Sequence, residues 1–471
     1  MNRPRIVVAA LRGGSGKTIL SLGIIAAWRK LGKKISPFKK GPDYIDAGWL
    51  ALAAGRPCYN LDTFLIPETR VVGSFLSHST NSDCAVIEGN RGLFDGTDLD
   101  GATSTAALAK LLKAPVVICV DCTKSTRTIA AIVLGCIRFD PAVELKGVIL
   151  NRVAGSRHEM TIRNSIEHYC GIPVLGAVPR LGREIFPERH MGLVPTPEHR
   201  LSVDAISEIG QVAEKFLDLD ALAKVAQDAP TLDSKPEDGN HRNDHRSPVV
   251  AMTNRSQRPR IGVIRDSAFQ FYYPENIEAL VSAGAETVMI SPLESRDMPP
   301  VDALYIGGGF PETHARALAD NKKFQTALKS LADRGLPIYA ECGGLMYLAE
   351  ALHLDQERFP MAGVLPIVLG FSKRPQGHGY TVVRVDRENP YFPKGTEFKG
   401  HEFHYSKAIE WRGNDDDLVF GMKRGVGVWN RRDGICYKNV LATYTHLHAL
   451  GVPDWAEALV GNAIRYRQKK K

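Results

Sequence analysis

The chain has 471 residues, 44% hydrophobic and 24% charged, which is the balance of a globular protein with room for two or three domains, each with its own core. A net charge of +8 suits acidic small molecules or nucleotides, and no aromatic-interleaved basic motif argues for nucleic acid, so none is expected as a partner. No apolar run reaches the length of about 20 residues that a spanning helix needs, no signal-type segment precedes the first strand, and the eight cysteines lack scaffold spacing; no membrane partner and a cytoplasmic setting are expected.

From Arg5 to about Leu222, strand-like apolar runs alternate with helical ones: 6–10 then 20–31, 85–88 then 106–112, 115–121 then 129–137, with 147–151 and 174–179 following. Such alternation predicts a parallel sheet covered on both faces, with ligands at the C-terminal strand ends. At the first end stand Arg12, Gly13, Gly14, Ser15, Gly16, Lys17 and Thr18. Glycines there let backbone N–H groups turn towards phosphates, Lys17 reaches the terminal phosphates, and the Thr18 hydroxyl can ligate Mg2+. Leu11 replaces the usual first glycine of a P-loop, and the crowded glycines before Lys17 resemble the dethiobiotin-synthetase-like branch.

The second end, Pro37-Phe-Lys-Lys-Gly-Pro-Asp-Tyr-Ile-Asp46, packs Lys39, Lys40, Asp43, Tyr44 and Asp46 around a turn. Beside a P-loop the lysines are candidates for holding a phosphoryl group, and the aspartates for metal or substrate. At the third end, Glu88 suits a carboxylate on magnesium facing Thr18, and Asp95 lies in a glycine-rich loop that would close over a substrate. Asn151 ends a further strand, either as a cap or as a reader of the adenine edge. Cys119 and Cys122 form a lone C-x-x-C, read as strand-end packing.

Residues 228–258 are rich in Asp, Ser, Pro, Asn, His and Arg and read as a polar linker, with His241 and His245 solvated. The expected division is therefore 1–222, a linker 223–259, and 260–471. A second α/β pattern follows, with strand-like runs at 261–265, 287–290 and 303–306, and Gly307, Gly308 and Gly309 come directly after the last of these. In Ile338-Tyr-Ala-Glu-Cys-Gly-Gly-Leu-Met346 a strand turns sharply into a helical run reaching Leu352, which predicts an elbow that presents Cys342 at a helix N-terminus as a thiolate nucleophile. The Gly308, Gly309 and Gly343 amides would serve an oxyanion. A base is required, and His446 and His448, on one face of a strand-like run, are the candidates.

These motifs together resemble the cobyrinate a,c-diamide synthases. The match runs through Phe38–Asp46, Glu88–Gly96, Gly147–Val153, Pro187–Pro195, Phe271–Asn276, Tyr305–Glu312, Tyr339–Tyr347 and Gly400–Ser406 in order. The resemblance implies an α/β protein with two doubly wound domains: a P-loop, dethiobiotin-synthetase-like domain and a class I glutamine amidotransferase domain of flavodoxin-like fold. It implies ATP-dependent, glutamine-using amidation of the a and c acetates of a corrin through an acyl phosphate. ATP, glutamine and an acidic tetrapyrrole would be the substrates, Mg2+ the cofactor, and a homodimer an open assembly state.

Carried over by residue, the resemblance makes Cys342 the glutaminase nucleophile and His446 its base. Arg12 to Thr18, with Lys39 and Asn151, would bind ATP; Thr18, Asp43 and Glu88 the metal; Asp43, Tyr44, Asp46 and Asp95 the substrate. Many relatives of this domain type place a Glu two residues after the histidine; here His448 stands there, so what orients His446 is open. The same pattern covers enzymes that amidate hydrogenobyrinate or nickel sirohydrochlorin. Two other classes compete: a P-loop switch protein with a degenerate binding domain, which would lack a nucleophile, and an amide hydrolase with a regulatory nucleotide site, which would not couple its reaction to an acceptor.

Overall fold

The computed structural model describes residues 3–181, 188–189, 192–193, 202–232 and 258–470. They fall into two compact units, one before residue 240 and one after it. The Pro187–Pro195 motif, apart from the paired strands Glu188–Arg189 and Gly192–Leu193, lies outside the described residues, as do His241 and His245.

In the first unit seven parallel strands run in the order Tyr59–Leu61, Ile35–Lys40, Cys84–Glu88, Arg5–Ala10, Val116–Asp121, Leu145–Val153 and Val174–Pro179. The central strands are near-continuous apolar runs because helices cover both faces. The register sets Lys39 beside Glu88, and Asp121 beside Asn151, all at C-terminal strand ends. Lys39 and Lys40, read as following a strand, are its last two residues, and both are buried.

The boundary expected at 222 falls inside the helix Leu219–Gln227. Leu222 and Ala226, one turn apart, are buried in the core of this unit, and the buried Arg5 guanidinium donates to Pro230 O at 2.6 Å. The unit therefore continues past the expected edge.

In the second unit a nine-stranded sheet begins with parallel strands Glu286–Ile290, Arg260–Ile264, Ala303–Ile306, Ile338–Glu341 and Val440–Thr443. It continues antiparallel through Arg432–Tyr437, Leu418–Arg424, Gly377–Val385 and Glu397–His404. The flavodoxin-like pattern thus holds for the parallel half, while the rest is antiparallel, with short connections joining Leu418–Arg424, Arg432–Tyr437 and Val440–Thr443 in succession. A separate four-stranded sheet includes Ala351–Leu354. The helix after Cys342 accordingly ends at Leu348 rather than reaching Leu352, because Ala349 turns the chain to an extended conformation.

Two candidate active sites

In the first unit the phosphate loop enters the helix Lys17–Lys30 through Gly16, at φ 93°, where a side chain would be strained and would collide with Asn151 Nδ2. The loop is tied from behind: Asn151 Nδ2 donates to Ser15 O at 2.8 Å and the Cys119 thiol to the same oxygen at 3.2 Å. Asn151 Oδ1 accepts from the Arg152 N–H at 2.9 Å, so in this structure the carboxamide braces the loop. Ser15 Oγ closes the turn onto Arg12 O, and the exposed Arg12 side chain lies 3.4 Å from Asp121.

Thr18 Oγ1 donates to Glu88 Oε1 at 2.8 Å, and Lys39 Nζ bridges Glu88 Oε1 and Asp46 Oδ2 at 2.8 and 2.7 Å. Asp43 Oδ1 accepts the Asp46 N–H at 2.9 Å. Burial and then the Asp46 charge lift Asp43 to about 7. Burial acts the same way on Asp46, but the Lys39 ammonium outweighs it and holds that carboxyl low. Burial, followed by the Lys39 charge, lowers Lys17. These groups line a cavity of about 1250 Å³ at the strand ends, together with Arg12, Asp121 and Asn151.

The second Glu88 oxygen, Oε2, is buried with no hydrogen-bond partner among the described residues. An orphaned carboxylate oxygen beside a threonine hydroxyl and two aspartates is the hard-oxygen donor set that Mg2+ takes, so these residues fit that ion. Tyr44 precedes the helix Ile45–Ala54 and is half-buried, whereas Asp95 is exposed and accepts the Gly92 N–H at 2.8 Å, shaping its own loop.

In the second unit Cys342 sits at φ 47°, ψ −99°, a strained elbow between the strand Ile338–Glu341 and the helix Gly343–Leu348. Its N–H donates to Thr443 O at 2.7 Å. Burial, with the Glu312 charge next, pushes the thiol well above its ordinary range against a hydrogen bond from the Gly343 N–H. Burial and a short helix thus work against the expected thiolate, so a base beside the sulfur is needed to take its proton.

A Cβ on Gly308 would stand 2.5 Å from His446 Cε1 and 3.2 Å from Nε2, and one on Gly343 would stand 2.9 Å from Gly309 N. The three glycines and His446 are thus gathered around the elbow. His446 Nδ1 faces Glu341 Oε2 at 3.4 Å. His448, the alternative base, is turned away: its Nδ1 accepts the Leu450 N–H and its Nε2 faces Glu275 at 3.6 Å.

The segment 443–449, which carries both histidines, is pinned from two directions. Asn276 donates to Leu447 O and accepts from the Ala449 N–H. Buried Asp433 accepts from the Thr443 hydroxyl and from the Tyr444 and Thr445 N–H groups. Sequence reasoning missed Glu341, Asp433 and Glu275; for the first two the available signal was an ionisable residue on a strand, while Glu275 stands in the first turn of the helix Pro274–Ser282.

Residues 6–191 match the CobQ/CobB/MinD/ParA nucleotide binding domain, and residues 260–453 the CobB/CobQ-like glutamine amidotransferase domain. Over 97% of its length the chain is 43% identical to a cobyrinate a,c-diamide synthase of Magnetococcus marinus, of which it covers 96%. The chain belongs to the cobyrinate a,c-diamide synthase family. Members named the same in Archaeoglobus fulgidus and Methanosarcina acetivorans are 40% and 38% identical over 99% of this chain, covering 98% and 97% of their own lengths. The family is one of glutamine-hydrolysing ligases, and this chain carries both its nucleotide-binding and its amidotransferase domain. Among the described residues no helix is long and apolar enough to cross a membrane.

Proposed function

We propose that the chain amidates the a and c acetate side chains of cobyrinate in cobalamin biosynthesis, using ATP and glutamine, through an acyl phosphate. The observation that carries this reading is that one chain holds a phosphate loop with its acidic cluster and a cysteine elbow with its histidine, in a sequence similar to cobyrinate a,c-diamide synthases along nearly its whole length.

At the elbow, Cys342 Sγ attacks the side-chain amide carbon of glutamine while its proton passes to His446 Nε2. The oxyanion is met by backbone N–H groups at Gly308, Gly309 and Gly343, and the proton then leaves with the departing amine as ammonia. Water, deprotonated by the same histidine, cleaves the thioester to glutamate and returns the thiol.

At the phosphate loop, a substrate acetate takes the γ-phosphoryl group of ATP; ammonia then attacks the acyl carbon and phosphate leaves. Lys17 and Lys39 hold the charge of the transferring group, and Arg12 guards the mouth of the loop. Thr18, Asp43 and Glu88 would hold Mg2+, which supplies charge neutralisation at the phosphates. Asp43, Tyr44, Asp46 and Asp95 are the proposed substrate contacts.

The test is mass spectrometry of products formed with ATP, Mg2+ and glutamine from cobyrinate, hydrogenobyrinate and nickel sirohydrochlorin in parallel. Two amidations of cobyrinate are expected, lost in Cys342→Ala with glutamine and kept with ammonia. Glutamine hydrolysis with no amidation of any macrocycle would overturn the synthase reading. Preference for either other macrocycle would correct the substrate alone.

A further inference from the structure

Glu341 is the last residue of the strand Ile338–Glu341, immediately before the nucleophile, and it is completely buried. A carboxylate shut away from water needs donors, and three meet it. His446 Nδ1 lies 3.4 Å from Oε2, the Tyr305 hydroxyl donates to Oε2 at 3.2 Å, and the Leu447 N–H donates to Oε1 at 3.1 Å. Asn276 Nδ2 in turn donates to the Tyr305 oxygen at 3.1 Å. One carboxylate oxygen therefore faces the imidazole, while the other grips the backbone directly after it.

The position two residues beyond His446 holds no acid. His448 there accepts the Leu450 N–H through Nδ1 and faces Glu275 with Nε2 at 3.6 Å. The other titratable ring against the base is His401, stacked on it with ring centres 4.9 Å apart and itself near the Tyr273 hydroxyl. Burial, then the His446 and His448 charges, keeps His401 well below its ordinary range, so it stays neutral and does not compete for the carboxylate.

We propose that Glu341 is the positioning carboxylate of the glutaminase, orienting His446 from the residue before the nucleophile in place of an acid two residues after the histidine. This rests on the glutaminase reading of Cys342 and His446. With Nδ1–H donated to Glu341, Nε2 keeps its lone pair on the ring edge beside Gly308, where the thiol proton is taken up. The carboxylate also stabilises the imidazolium that forms when that proton arrives.

The experiment is steady-state glutamine hydrolysis across pH, with ATP, Mg2+ and cobyrinate present, by the full-length protein and by its Glu341→Gln, Glu341→Asp and Cys342→Ala variants. Glu341→Gln keeps the shape and loses the charge. Its kcat is expected to fall about 10- to 100-fold, with KM for glutamine within about twofold of the parent and the acidic limb of kcat/KM displaced to lower pH. Glu341→Asp keeps the charge but withdraws it by a methylene, so kcat falls and the limb stays in place.

A merely structural role would not move the limb. An unmoved limb in Glu341→Gln, or parental kcat in either variant, overturns the proposal, and Glu341→Asp decides if Glu341→Gln does not fold. Failure of the underlying reading looks different: the parent hydrolyses no glutamine, or Cys342→Ala hydrolyses it as fast as the parent.

Discussion

Lys39 Nζ stands 2.8 Å from Glu88 Oε1 and 2.7 Å from Asp46 Oδ2, with the Lys39 and Glu88 side chains closed off from solvent. Burial alone would lower the Lys39 pKa, yet the Asp46, Glu88 and Asp43 charges overcome it and raise it, so the ammonium persists at any working pH. Removing one member of such a group strands the rest. Lys39→Met is expected to destabilise the first unit by about 3–5 kcal/mol and to abolish ATP-dependent amidation. Thermal unfolding together with the product assay checks both; an unchanged melting temperature contradicts the first.

Gly16 joins the phosphate loop to its helix at a positive φ, and Asn151 occupies the space a side chain would need. Gly16→Ala is expected to weaken ATP binding at least about tenfold and to lower stability by about 1–3 kcal/mol, since strain and collision add. Calorimetric titration with ATP and Mg2+ measures the first. Asn151→Ala, which removes one of the two donors to Ser15 O without strain, should reproduce part of the loss of affinity with less loss of stability.

At the other site Gly308 is in van der Waals range of the base. A methyl group there would press on His446 Cε1 from 2.5 Å, so Gly308→Ala should lower glutamine-dependent amidation by about 10²-fold or more. Ammonia bypasses this site, and the ammonia-dependent rate should remain within about twofold of the parent. Equal loss of both rates would place the effect elsewhere.

Asp121 supplies a pH signature in the first unit. Burial would raise its pKa, but hydrogen bonds from the Thr123 hydroxyl and N–H, with the Arg152 guanidinium 2.7 Å away, hold it down at about 2. An unfolded aspartate titrates at about 3.9. The folded form is thus favoured above that value, and the contribution disappears as pH falls from about 4 through about 2. Unfolding midpoints at pH 5 and pH 3 should fall further for the parent than for Asp121→Asn; parallel falls would exclude this contribution.

Contiguous chemistry was legible in the chain. The residues from Arg12 to Thr18 form one continuous loop into a helix, and the Cys342 elbow is a local sequence of strand, cysteine and glycines, so both can be read without tertiary knowledge. Glu341 could not be assigned that way, because its partner lies past the end of the neighbouring strand, more than a hundred positions away. Lys39 was misplaced by its charge: a lysine reads as a turn residue until Asp46 and Glu88 are seen to bury it. The strand Tyr59–Leu61 is too short to carry a period, and the helix through 222 was hidden by the polar composition that begins just after it.

Glu341 pairs with Thr443 in the parallel ladder, and Cys342 N–H latches onto the Thr443 carbonyl. The nucleophile and the carboxylate facing the base therefore sit at the end of one strand, and the imidazole sits three residues past the end of its neighbour. Sliding between these strands is a single mechanical coordinate that carries His446 away from both partners together. A slip of about 1 Å, enough to lose about 10²-fold in rate, would part the base from the thiol and from its carboxylate at once.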